Sequence, residues 1–455
     1  MFENINHILS IRIASFFSIQ IFLLLLSSSA FAQDYIFPEI RPMSPGFKID
    51  VITGQDFVLS YVMDANQGIL TLSIKDGEFN QNHFEQYSIG RGLNKVNYEV
   101  NGEIVYLVLS NGSTFKTLAV INTQSSVVQF FPFSINLGKI DQFKVNGNTL
   151  LMIEYLPQGD LIQLYDYQTE MMITLSEFTF PNTSIWDVQV KDGIFDILVY
   201  KKSKFRSQSL MMIGFNDSGS KLYETEISLP GIKKYIFKSA KLIPSEEKGY
   251  SIVGTFSKKQ GEQFSGYYHV GINDGLEQKA TIHPMRSLEG FFDYKKNKGI
   301  WMDPKNFSKN MQVFQTYANE KYIALASSPD NVPKEFVHFM LVGHTGELVH
   351  DTSLKVFYEF GGYFKYSTLA LNGSELYFIF EGNSNINVFP IFKLYQIKNG
   401  QLNRILEAQN YLEEKSEDSE WIEIKYYHWK DNKFIVSGIE TINGQKKHLI
   451  RKIEV

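Results

Sequence analysis

The chain has 455 residues, with 44 Lys and Arg against 49 Asp and Glu, for a formal charge of −5. Its 44% hydrophobic and 20% charged content is that of a folding chain, and 15% aromatics supply many large core groups. The absence of Cys excludes a disulfide framework, Cys-ligated zinc, thiol catalysis and a lipid-modified N-terminal Cys. The mild negative charge gives no footing to a nucleic-acid binder.

Residues 1–32 read as a secretory signal peptide. A polar start with Arg12 leads into an apolar stretch, 13–26, interrupted by Ser15, Ser18 and Gln20, and then into Ala30-Phe31-Ala32, a small-x-small cleavage pattern. The purely apolar run 21–26 is far shorter than the roughly 20 residues a membrane helix needs. Cleavage after Ala32 is therefore expected, leaving residues 33–455 as a single domain with no membrane span, exported to the periplasm or the extracellular space.

Through the rest of the chain, helical periodicity is almost absent. Short Val/Ile/Phe/Tyr/Leu runs alternate with Asn-Gly and Asp-Gly turns, the hairpin signal. One class of turn precedes a strongly apolar strand: Asn101-Gly102, Asn146-Gly147, Asp192-Gly193, Asn372-Gly373 and, less neatly, Asp431-Asn432. Gly102, Gly147 and Gly193 recur at about 45 residues, a repeat length typical of four-stranded units. A second class follows in each unit, as in LTLSI-KDGEF, LMMIGF-NDSGS and HFMLVG-HTGEL. Four strands per repeat predict β-propeller blades.

Eight units are counted, near 47–90, 93–136, 138–180, 184–230, 234–284, 310–356, 364–408 and 420–455, with seven as the alternative. The last lacks one strand, and residues 35–40 are otherwise unassigned, so an N-terminal strand is expected to complete the final blade and remove an exposed edge. Pro284 to Lys309 is too long for an ordinary connection. The mature chain thus resembles the all-β propeller architecture over nearly its whole length, and secreted propellers with degenerate blades in particular. It matches no named family. The Trp-Asp of WD40 blades, the sialidase Asp box and the Gly-Gly pairs of kelch repeats are all missing.

Chemistry is sparse. His338, His344 and His350 lie close in sequence, but they flank and tip a hairpin rather than converging, so they read as surface turn residues and no metal site is expected. His428 and Trp429 end the first strand of the last blade. Trp186, Asp187, Trp421 and Glu423 sit on inner strands; a Trp there is expected to pack between blades, and a sugar site facing the channel is the alternative. The acidic stretch 413–420 lacks the ligand alternation and Gly of a calcium loop and reads as a solvated linker. No catalytic residue and no cofactor are assigned.

Up-and-down strands place the first–second and third–fourth turns on one face, where they are short and mixed in charge. The other face collects longer, basic tips: Lys201, Lys202, Lys204, Phe205 and Arg206 on blade four, Lys258 and Lys259 on blade five, and 445–447 on blade eight. Converging cations focus a positive field on an anionic partner. The expected function is a non-enzymatic exported propeller that binds an envelope protein or an acidic glycan through this face. The alternative is a polysaccharide-active hydrolase or lyase with its site at the channel mouth, signalled by carboxylates converging with His or Tyr among inner-strand residues.

Overall fold

The computed structural model describes residues 33–36, 49–176, 182–202, 208–229, 235–245, 249–258, 264–291, 311–329, 336–355, 364–383, 390–407, 420–442 and 445–454. They form eight four-stranded antiparallel sheets, each ordered as in the sequence except the last. The blades span 50–88, 95–134, 142–175, 183–227, 236–284, 311–355, 364–407 and 420–454. First strands of neighbouring blades lie side by side, and the first strand of blade eight meets that of blade one, so the ring closes. The eight-bladed propeller is confirmed.

Each strand's composition follows its place in the ring. Second strands such as Ile104–Ser110 are buried along nearly their whole length, because blades stack face to face and cover both sides of the sheet. Fourth strands such as Gln81–Ser88 face the rim and are mostly exposed or half-buried. The core is correspondingly a ring of interblade clusters. Ile52, Leu59, Val105 and Leu107 join blades one and two, and Ile435, Ile450, Val51 and Val58 join blades eight and one. Asp192 and Gly193 have φ of 50° and 79°, the two left-handed positions of a tight hairpin turn, which is why Asp-Gly recurs there.

Closure uses a strand that begins earlier than the sequence suggested. Gln33–Ile36 pairs with the last strand in the register Gln33↔Lys452, Asp34↔Arg451, Tyr35↔Ile450 and Ile36↔Leu449. The rest of the expected segment, 37–40, lies outside the described residues. The seam is reinforced near the axis, where Thr53 Oγ1 donates to the His428 carbonyl at 2.6 Å and Lys425 pairs with Asp50.

The inner hairpins fall into two groups. Pairing between first and second strands is regular in blades one to three. In blades four to eight it is interrupted by bulges, at Ile185/Asp187, Phe237/Ser239, Val313/Gln315, Phe364/Tyr366 and, in blade eight, Ile422/Lys425 and His428/Lys430. A bulge inserts a residue and re-aims the side chains beside it. Asp187, after the blade-four insertion, accepts the Leu242 N–H of blade five at 2.8 Å. Ser239, in the same place in blade five, accepts the Val313 N–H of blade six at 3.0 Å.

Candidate functional site

The expected basic surface is described only in part. Lys201 and Lys202 end the second strand of blade four, and Lys258 follows that of blade five, on the same face. Lys201 Nζ lies 3.2 Å from Glu224, whose other oxygen takes Lys221 at 3.1 Å. These two lysines hold the Glu224 carboxyl below its usual range. Lys202 and Lys258 are exposed. Lys204, Phe205, Arg206 and Lys259 lie outside the described residues, as does the acidic stretch 413–419.

Two other expectations fare differently. Trp186, the residue inserted in the blade-four bulge, packs between blades, the reading the sequence favoured. Its ring stacks on Tyr200 at 4.4 Å and 13° and packs into the cluster between blades four and five. Asp187 is buried, holding the N–H groups of Leu242 and Val188. The side chains of Trp421 and Glu423 lie outside the described residues. The histidines of blade six, by contrast, are not the surface residues expected. His338 is fully buried, bonded through Nδ1 to Ser353 Oγ at 2.9 Å and stacked on Tyr267. His344 is half-buried and donates from Nε2 to the Asn319 carbonyl at 2.8 Å. Among the described residues no three His, Asp or Glu are placed to hold a metal ion.

What the ring brings together instead is a cavity of about 920 Å³ at its axis, opening on the face of the short first–second turns. Blade eight supplies Tyr427 to Asp431, blade one Thr53 to Gln55, blade two Tyr98, blade six Tyr317 and Asn319 to Lys321, and blade seven Thr368 and Asn372. These groups come from two runs of consecutive blades, six to eight and one to two, and ring closure joins the runs into one wall. Tyr98 is 51% exposed. Tyr317 meets the His428 ring edge-on at 5.4 Å, and His428 Nε2 donates to the Asp431 carbonyl at 3.1 Å. Burial lowers the His428 pKa, which keeps the imidazole neutral at neutral pH. Trp429, again a residue inserted in a bulge, is 5% exposed and packs between blades eight and one; its buried indole N–H has no hydrogen-bond partner among the described residues.

The charges of the mouth are matched. Lys430 Nζ lies 3.5 Å from Asp56 and over the Trp429 ring, Glu320 adjoins Lys321, and deeper in the channel Glu99 pairs with Lys144 at 2.7 Å. Glu320 and Asp431 are exposed turn residues. Four described carboxyls are made more basic by burial: Glu99, beside Tyr98 and paired with Lys144, Asp160, which accepts the Ile185 N–H at 2.6 Å, Asp196 and Asp351. Asp196, pushed up to about 6, is clasped by the hydroxyls of Tyr223 and Tyr250, and Asp351, also pushed up to about 6, accepts the Phe291 N–H.

A smaller cavity of about 360 Å³ lies between blades five and six on the same face, lined by His269, Ser251, Lys279 and His344 among others. His269 is buried, with Nε2 against Ser251 Oγ at 3.1 Å, and Gly346 packs over its ring.

No protein-family model matches the chain, and no curated protein matches it. Among solved structures it is similar to a polysaccharide lyase, Uly1, at 10% identity over 81% of this chain and 92% of that one, with a TM-score of 0.45. It is similar to the β-propeller domain of the Trilobed protease from Pyrococcus furiosus at 11% identity, over 79% and 94% of the chains, with a TM-score of 0.39. A prolyl endopeptidase matches at 10% identity over 87% of this chain and 55% of its own, with a TM-score of 0.45. Likeness at this level carries no functional argument. Among the described residues no helix is long and apolar enough to cross a membrane.

Proposed function

We propose that the chain is an exported, non-enzymatic propeller that binds a macromolecule of the cell envelope at the mouth of its central channel. The observation that carries the reading is the open cavity of about 920 Å³, walled by aromatic and hydrogen-bonding side chains from five blades. Binding is favoured over hydrolysis because a general acid needs a raised carboxyl presented to its substrate. Glu320 and Asp431 at the mouth are solvated turn residues, and Glu99, the carboxyl beside Tyr98 that burial raises, is held by Lys144 at 2.7 Å. Of the other carboxyls with raised pKa, Asp196 and Asp351 are held in interblade and connection contacts and Asp160 accepts the Ile185 N–H.

The basic tips are a second contact surface, for an anionic partner such as an acidic glycan or a protein. Lys202 and Lys258, exposed on adjacent blades, favour it, and Lys201, Lys204, Phe205, Arg206 and Lys259 belong to the same tips. Export rests on the signal-like residues 1–32, and cleavage after Ala32 leaves the whole closing strand Gln33–Ile36 in place. Mass spectrometry of protein recovered from the envelope or the medium should then give Gln33 as the first residue.

The function is tested by capture from an envelope extract with three immobilised proteins. Wild type should retain a macromolecule, Tyr98→Ala with Tyr317→Ala should lose it, and charge reversal at Lys201, Lys202, Lys204 and Arg206 should leave it unchanged. Loss on charge reversal alone moves the site to the basic face. No specific capture by wild type ends the binding reading.

A further inference from the structure

The wall of the mouth speaks to the chemistry of its ligand. It carries two lysines, Lys321 and Lys430, and two carboxylates, Glu320 and Asp431, with Lys430 3.5 Å from Asp56, so the cavity presents neither a cationic nor an anionic trap. Its backbone is already engaged. The Gly54 N–H bonds the Phe57 carbonyl at 3.1 Å, the Asn319 N–H bonds the Tyr322 carbonyl at 3.0 Å, and the Gly373 and His428 carbonyls accept Asn319 Nδ2 and Thr53 Oγ1. A polypeptide adding itself to a sheet edge needs a ladder of free backbone groups, and these turns do not offer one.

What the mouth does offer is side chains. Tyr98 stands half exposed inside the ring, Tyr317 lies across from it on blade six, and amide and hydroxyl groups of Gln55, Asn372 and Thr368 lie around them. Uncharged aromatic faces beside many hydrogen-bonding groups suit a molecule with apolar C–H faces and a fringe of hydroxyls. The volume is at the upper end of the about 300–1,000 Å³ typical of small-molecule sites, enough for a short run of sugar rings.

We infer that the channel mouth takes the end of a neutral oligosaccharide, with Tyr98 and Tyr317 as ring-stacking groups and Gln55, Asn372 and Thr368 as hydrogen-bonding groups around them. This rests on the mouth being the binding site and adds the ligand class.

The test is isothermal titration of the chain from Gln33 onward with neutral hexasaccharides of β-1,4-glucan, β-1,3-glucan, α-1,4-glucan and β-1,4-mannan. A hexagalacturonate and an uncharged hexapeptide serve as the other classes. At least one neutral hexasaccharide should bind saturably and change the tryptophan fluorescence. Tyr98→Ala, at an exposed position that leaves the core intact, should weaken it about tenfold, Tyr98→Phe should restore it, and Lys202→Glu, on the other face, should change it less than about twofold. The inference is overturned if no neutral hexasaccharide binds, if binding ignores Tyr98→Ala and Tyr317→Ala, or if the uronate or the peptide binds more tightly. Tyr98-dependent capture from extract without any hexasaccharide binding overturns the ligand class and leaves the mouth as the site. Loss of both overturns the two together.

Discussion

Blades one to three and blades four to eight solve the same packing problem differently. In the first group the inner hairpins pair without interruption, and neighbours are joined mainly by apolar contact and by single polar links such as Asn97 Nδ2 to the Ile140 carbonyl at 3.2 Å. In the second, every inner hairpin is bulged, and in blades four and five the residue beside the insertion reaches sideways to strap the next blade. The polar burial differs too. Lys75 and Lys116 are buried in blades one and two, whereas the buried and half-buried histidines with lowered pKa, His269, His283, His338, His350 and His428, all lie in blades five to eight. A regular inner strand spends its backbone groups within its own sheet; a bulged one frees groups to bind across blades, at the cost of burying polar atoms.

The sharpest way to break the comparison is to cut the seam between the two groups. Deleting Gln33–Ile36 leaves the last strand of blade eight with an open edge, and we expect a loss of several kcal/mol (~3–5) and a concentration-dependent tendency to associate, read by denaturation and light scattering. Asp187→Ala should cost about 2–3 kcal/mol in chemical denaturation, because two buried N–H groups lose a charged acceptor. Asn97→Ala, the counterpart in the regular group, should cost no more than about 1 kcal/mol. Equal losses would remove the distinction.

Acid should reveal the same asymmetry. Burial lowers His269 to about 4 and His338 to about 3, so between the ordinary histidine value and those values the unfolded chain holds more protons than the folded one. Their contribution to stability is complete above about 6.5 and falls as pH drops. Asp351 and Asp196, raised to about 6, act in the opposite direction between about 4 and 6 and offset part of the loss. Hydrogen exchange followed from pH 7 to 4.5 should therefore show blades five, six and eight opening before blades one to three, and His338→Asn should flatten that slope. The smallest effect is expected at Lys75, whose burial lowers its pKa to about 7. Lys75→Met should raise the unfolding free energy by about 1 kcal/mol in chemical denaturation, because no ammonium then loses its hydration on folding.

Much of the fold could be read in advance. Asp192-Gly193 and its relatives announce hairpins because the turn needs left-handed backbone at both positions, a local requirement, and the missing fourth strand of the last unit called for an N-terminal partner. The site was less legible. Trp186 and Trp429 both end or interrupt inner strands and look equivalent in sequence, and both pack between blades, Trp186 between four and five and Trp429 between eight and one at the edge of the mouth. Both are inserted residues at bulges, where alternation no longer tells which way a side chain points. His344 reads as a solvated turn residue, but its turn lies against Asn319 of the same blade and is half-buried.

By itself, then, the order of amino acids determined the strands, their turns, the number of blades and the need for a closing strand, because each depends on residues adjacent in the chain. Only the tertiary structure decided where a ligand can enter. Tyr98, Tyr317 and His428 belong to blades two, six and eight, and they share one wall because the ring closes and brings their inner strands around a common axis.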